Sequence, residues 1–372
     1  QLRGLRGRQE TPLGTGRGGA QADQAQEVWT LKLDSRQKEL LATFHKNSKR
    51  RSSGRCMYRN EQGERCKNTA ISSHSIQNSG ALKVVSEHGH VLCLEVVLSS
   101  GNVESPIEFQ RKGRSKASVF PGFCKRHDNE IFREIEGNTE LNPLRALLLT
   151  TYRSICQEIF KKEWNVSLFE EMVQLKSISS EERHWLEGTL IGTRLALKDL
   201  TRSLEEYEIA IRLDNYSGFE GWIFHLDKFL PFCCAACMSP EFDADGNKVL
   251  PGFDEEWHNV GWFTGRLGSV DVLMIGGFTH NRGQDISGFL RSLAKIPLEH
   301  IGEFSLNLSV FYSENTFFNE SFVLSLQESD RTWLKTKFQE IVPGEALSGA
   351  LELFKERLNY RPGSADFGAL GV

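Results

Sequence analysis

The sequence predicts an α+β protein in which a small metal-pinned module precedes a helical segment and a β-rich region. Three observations carry this. Two long stretches repeat apolar residues at the 3–4 spacing of a helix. Several shorter runs are rich in β-branched and aromatic residues and are bounded by turn signals. Two cysteines in a polar loop, Cys56 and Cys66, are followed by a Cys-x-x-His, Cys124 and His127, at the mouth of a helical pattern.

Residues 1–30 hold many Gly, Arg and Gln and few large apolar side chains, and read as a disordered leader. A short helix follows at Ser35 to His45, with Leu40, Leu41 and Phe44 on one side. Residues 35–137 form the predicted metal module. Inside it, Leu82, Val84 and Val85 and then Val91 to Leu98 read as strands joined by a turn at Glu87-His88-Gly89-His90, with Ser99 to Asn102 ending the run. His88 and His90 are turn residues in this reading. The Pro121-Gly122 pair stops what precedes it, and Ile131, Phe132 and Ile135 follow in a helical pattern.

Residues 138–212 are the helical region. Pro143 suits a first turn, and Leu144, Leu148, Tyr152, Ile155 and Ile159 share one face. Ser179 and Glu182 have the spacing of a capping box and open a second helix carrying Leu186, Leu190, Leu197, Leu200, Leu204 and Tyr207. Two such helices pair antiparallel. Residues 213–345 form the β-rich region. Trp222 to Cys237 is apolar and interrupted by Pro231, Asp245-Gly246 signals a hairpin turn, and Val272 to Ile275 is a buried run. Phe304, Leu306, Leu308, Val310 and Tyr312 alternate with Ser305, Asn307 and Ser309, the clearest strand pattern in the chain. A helix returns near Arg331 to Val342, and residues 346–372 read as a frayed tail.

With 39% hydrophobic and 25% charged residues the chain has enough apolar surface for ordinary cores, and its net charge of −4 gives no global pull toward nucleic acid. The local balance differs. Arg36 to Lys67 holds ten Lys/Arg against three Glu, and Glu104 to Arg126 holds six against two. Both basic stretches flank the Cys/His set, and phosphate backbones are bound through such local charge; a solvated basic surface reads equally well. Lys49, Arg50, Arg51 and Arg55 are the candidate nucleic-acid contacts. No apolar run approaches the roughly eighteen residues of a membrane span, and no secretory signal is seen, so a cytoplasmic chain with reduced thiols is expected. In that setting clustered cysteines bind metal or pack in cores.

Cys56, Cys66, Cys124 and His127 are the expected ligands of one structural zinc ion, two from a loop that folds back and two from a first helical turn. Their charged neighbours argue against buried apolar thiols. Cys233, Cys234 and Cys237, in an apolar run, read instead as packed thiols on a strand. Asp243 to Asn247 lacks the acidic twelfth position of a calcium loop. His74, between the two halves of the zinc set in Ser73-His74-Ser75-Ile76, is left over.

Over about residues 55–136, this arrangement resembles the HNH, or ββα-metal, nucleases of the treble-clef type. The resemblance implies a structural Zn2+, a catalytic Mg2+ or Mn2+, and cleavage of DNA. It assigns His74 as general base, and Asp128 and Asn129, with Asn78 behind them, as candidates for the divalent ion. The family often carries Asp directly before the His; this chain has Ser73. The alternative is a non-catalytic zinc-stabilised module that binds nucleic acid or another partner. Asp128 also fits as a first-turn acid on the helix dipole.

Overall fold

The computed structural model describes residues 35–51, 54–97, 107–136, 142–252, 255–279, 284–341 and 365–370, with side-chain detail absent at the margins of some of these stretches. The predicted leader lies outside them. The described residues form one compact unit.

An eight-stranded, wholly antiparallel sheet organises that unit. Its strands are β2 (His90–Val96), β3 (Ile107–Gly113), β5 (Phe219–Leu226), β6 (Phe232–Met238), β7 (Val260–Leu267), β8 (Val270–Phe278), β9 (Thr316–Phe318) and β10 (Ala365–Leu370). They lie in the order β10-β5-β8-β7-β6-β9-β2-β3. The segment read as a separate module thus contributes β2 and β3 to a sheet built mainly from the C-terminal half. The joint is β9, which pairs with β2 at Leu92↔Phe318 and with β6 at Phe232↔Phe318. A second, two-stranded sheet pairs β1 (Ser72–His74) with β4 (Val119–Pro121).

The helices form as their caps dictate. Helix α4 (Pro143–Val173) opens on Asn142, whose side chain accepts from Leu144 N and Arg145 N, with Pro at its first position. Helix α5 (Ser180–Leu213) opens on the predicted capping box, Ser179 and Glu182 satisfying each other's backbone N–H. It ends at Asp214 in the left-handed conformation. The first helix, α1, runs Ser35–Arg51, longer than expected.

The sheet separates two cores. One face carries Ile223, Cys233, Ala235, Cys237, Phe263 and Met274 and packs on α4, α5 and the Cys/His region. The other carries Phe224, Phe232, Cys234, Trp262 and Ile275 and packs on α6 (Ile286–Leu293), α7 (Ile301–Phe311), α8 (Glu320–Ser325) and α9 (Glu328–Ile341). All three cysteines of the 233–237 run are buried in β6, as expected. Helix α4 comes unusually close to the sheet because of a row of glycines. Gly221 pairs with Gly276, and Gly276 with Gly261, across three neighbouring strands. A Cβ on Gly276 would lie 2.9 Å from Leu147 Cδ2, and one on Gly261 would lie 2.5 Å from Thr151 Cβ. Leu147 and Thr151, one helical turn apart, fill the lane those glycines leave.

Four local expectations need correction. The alternating segment at Phe304 to Tyr312 is helix α7, not a strand. Every residue of α7 is buried, so its small polar side chains are not a solvent face; Ser305 Oγ meets Thr264 Oγ1 at 3.0 Å inside the core. Leu82, Val84 and Val85 lie in a short helix, α2 (Ala81–Val85), begun at Gly80, with Leu82 and Val85 buried together. The turn at Glu87 to His90 exists, but it links α2 to β2, whose hairpin partner is β3. The tail read as frayed holds β10, which pairs with β5 from Ala365↔Leu226 to Leu370↔Gly221. The expected end of the β2 run at Ser99 to Asn102 lies outside the described residues.

Candidate metal centre

The polar stretch between Cys56 and Cys66 folds back as a hairpin, bridged at Arg55↔Thr69 and Arg59↔Arg65. Asn60 turns it: its Oδ1 accepts from Gln62 N and Glu64 N, and Gly63 supplies the positive φ of 75°. Cys56 N donates to Asn68 O at 3.0 Å and Cys66 N to Tyr58 O at 2.8 Å, which places one cysteine on each arm. Met57 N and Ile71 N donate to the carbonyls of Gly122 and Phe123, both at 2.7 Å, and so dock the hairpin beside β4. Cys124 follows at once and leads into α3 (Lys125–Glu136), its carbonyl accepting from Asp128 N. His127 lies on the first turn of α3, buried, with its ring against Tyr58 at 4.0 Å between centroids.

The donor atoms of Cys56, Cys66, Cys124 and His127 all lie within 4.8 Å of one another. His127 Nδ1 is 3.4 Å from Cys56 Sγ and 3.5 Å from Cys124 Sγ. A tetrahedral ion with ordinary Zn–S and Zn–N bonds sets such S···N edges at about 3.6 Å. Three thiols and one imidazole at that spacing fit zinc, as the sequence predicts. Burial, the largest influence, pushes the Cys56 thiol up to about 12. Burial acts the same way on Cys124, but N–H groups of His127 and Asn68 outweigh it and hold that thiol below its usual value. Burial, then the Arg126 charge, lowers His127, which favours the neutral imidazole a metal needs. Arg126 Nη2 is 2.6 Å from His127 Nε2. Ligation through Nδ1 puts the proton on Nε2, so Arg126 must then swing outward, an easy motion for a largely exposed side chain.

His74 stands on β1, opposite Val119 of β4. Its Nδ1 is 3.0 Å from the Ala117 carbonyl and 3.4 Å from Ser118 Oγ. A carbonyl only accepts, so Nδ1 carries the proton and Nε2 keeps its lone pair. Burial lowers the His74 pKa most; the Ala117 carbonyl opposes that, Arg153 reinforces it, and Glu136 and Asp128 oppose it. Ser73 is buried, its Oγ accepting from Phe123 N at 3.1 Å.

The remaining candidates fall in different surroundings. Asp128 faces α4, with Oδ1 3.7 Å from Arg153 Nη2. Arg153 is almost wholly buried, pairs with Glu136 at 2.8 Å and lies 3.7 Å over the Phe132 ring. Asn129 is exposed, and Asn78 is half-buried with Oδ1 lacking a hydrogen bond. Lys49 and Arg55 are exposed; the side chains of Arg50 and Arg51 lie outside the described residues. Among the described residues no second group of three or more His, Cys, Asp or Glu side chains converges. Sequence reasoning missed Arg153 and Glu136. The available signal was a lone Arg within the apolar stripe of α4, since a buried Arg needs paired charge. Among the described residues no helix is long and apolar enough to cross a membrane, and all eight cysteines are free thiols. Comparison with protein-family models, curated proteins and solved structures returned no match.

Proposed function

We propose that hairpin 55–69, the β1/β4 pair and α3 form an HNH-like treble-clef module held by one structural zinc ion, and that it hydrolyses phosphodiester bonds in DNA. The observation that supports this is His74: its ring is fixed through Nδ1, its Nε2 is left as a base, and it stands on the two-stranded sheet that the Cys/His cluster joins to α3. In the proposed step Nε2 takes a proton from water as the water oxygen bonds to phosphorus and the P–O bond to the leaving oxygen breaks. Exposed Arg55, Lys116 and Lys125 add positive charge around the module for a phosphate backbone. The cytoplasmic, reducing setting expected of free thiols belongs to this same reading.

The Mg2+ or Mn2+ that such chemistry uses finds two carboxylates near His74 among the described residues, Glu136 and Asp128, and both lie against the Arg153 guanidinium. A carboxylate pair neutralised by a buried guanidinium does not fit a divalent-ion site as it stands. That observation favours the second reading, a non-catalytic zinc-stabilised module that binds nucleic acid or a protein partner. One experiment separates the two. His74→Ala should abolish magnesium- or manganese-dependent nicking of plasmid and single-stranded DNA while zinc content and DNA binding persist. Full cleavage by His74→Ala removes His74 from the chemistry. No cleavage by the unaltered protein with either ion leaves the binding module.

A further inference from the structure

Helix α5 turns Leu186, Leu190, Leu200, Leu204 and Tyr207 inward. Its outer side departs from what water favours. Trp185, Ile191 and Leu195 are exposed to 50%, 60% and 47%. Between them stand Gly188 and Gly192, and a Cβ on either would meet nothing within 4 Å. Glycine is the poorest helix former after proline, and large apolar side chains gain nothing from water. These five residues recur at helical spacing on one face, over about 15 Å of helix axis. Glycines at a crossing point let two helix backbones approach closely, and large apolar neighbours then cover the contact.

The charges beside this face identify the occupant. Glu187 and Arg194 are seven residues apart, two turns, and so lie on the same flank. In an antiparallel helix pair, residues on the same flank meet. A two-fold axis near Leu190 sets Gly188 of each copy by Gly192 of the other, Trp185 by Leu195, and Glu187 by Arg194. Arg194 already lies 2.6 Å from Glu170 in its own chain, but its side chain is half exposed, and a guanidinium has five donors. A parallel pairing gains none of these matches. The face is complementary to itself under one rotation, as an isologous contact requires.

We propose that the Trp185–Leu195 face of α5 is a homodimer interface that binds a second copy of this chain antiparallel. One helix face is a small interface, below about 1,200 Å2 in total, so the dimer forms reversibly in the micromolar range.

Sedimentation equilibrium of the full chain tests this. The expected result is a monomer–dimer equilibrium that Ile191→Glu weakens at least tenfold, with unchanged circular dichroism and melting because the position is exposed. Glu187→Arg alone should weaken association, and adding Arg194→Glu should restore it. A chain still monomeric at about 100 µM, or a dimer indifferent to Ile191→Glu, overturns the proposal. Failure of the double charge exchange to restore association overturns the antiparallel arrangement.

Discussion

Removing zinc, by a chelator or by Cys124→Ser, should collapse the hairpin 55–69 and destabilise the whole unit. The size follows from the geometry. The S···N edges of 3.4 and 3.5 Å nearly match a bound ion, so little rearrangement opposes binding. Structural zinc sites of this donor type bind with about 10–16 kcal/mol, comparable to the roughly 5–15 kcal/mol that holds a domain folded. At free zinc one thousand times the dissociation constant, the native state gains about 4 kcal/mol. At about 1.4 °C per kcal/mol for a unit of this size, melting should fall by about 6 °C on chelation. Met57 and Phe123, beside the ligands, share a core with Phe132 and Tyr152 of α3 and α4, so the loss should spread beyond the hairpin. The Cys56 thiol, pushed up to about 12, holds its proton at neutral pH and must release it to the metal. Zinc affinity should therefore rise about tenfold per pH unit from this thiol alone. Metal analysis, melting with and without chelator, and zinc titrations near pH 6 and pH 8 are the measurements. A well-folded protein with no zinc, a Cys124→Ser variant that melts like the parent, or a pH-independent affinity would refute the reasoning.

Two further perturbations test the packing around the centre. Gly261→Ala forces a methyl against Thr151 and should cost about 1–3 kcal/mol as overpacking; adding Thr151→Ala should recover part of it, and strictly additive losses in urea midpoints would count against the glycine lane. Glu208 on α5 accepts from Arg59 N at 3.2 Å and Tyr152 OH at 3.3 Å, and burial pushes its carboxyl from 4.5 to about 7. A raised carboxyl binds its proton more tightly in the folded chain, so its contribution is complete below about 4.5 and disappears as pH rises through about 7. Glu208→Gln should match the parent near pH 4 and exceed it by about 3 kcal/mol near pH 8; parallel stability curves for the two proteins would show that Glu208 does not titrate there.

The legible parts of this chain are those written in short stretches. Asn142-Pro143 and Ser179/Glu182 mark their helices through side chains within four residues of the backbone groups they cap. The candidate metal ligands stand out because thiols flanked by Arg, Glu and Lys do not read as an apolar core run, although Cys56 and Cys124 prove buried. The illegible parts depend on partners far away. Ser305, Asn307 and Ser309 mimic the polar side of a strand, and only the sheet and helices around α7 make them interior. Nothing near Leu92 announces that it will pair with Phe318, and nothing near Ala365 announces Leu226. Asp128 reads as a ligand or a dipole acid until Arg153, from another helix, is seen against it.

The order of strands also constrains how the chain is made. The sheet's outer hairpin, β2 and β3, is synthesised early, but β6 cannot reach it until β9 emerges at residues 316–318. The opposite rim of the sheet closes only with β10, at residues 365–370. A nascent chain therefore carries unpaired strand edges until those residues emerge, the condition that invites mispairing and chaperone capture. Pairings separated by more than two hundred residues fold slowly. The Cys/His hairpin, by contrast, needs only residues up to His127 to gather its four donors. Metal capture there can act as an early anchor on the ribosome, fixing one corner of the protein long before the sheet has the strands to complete itself.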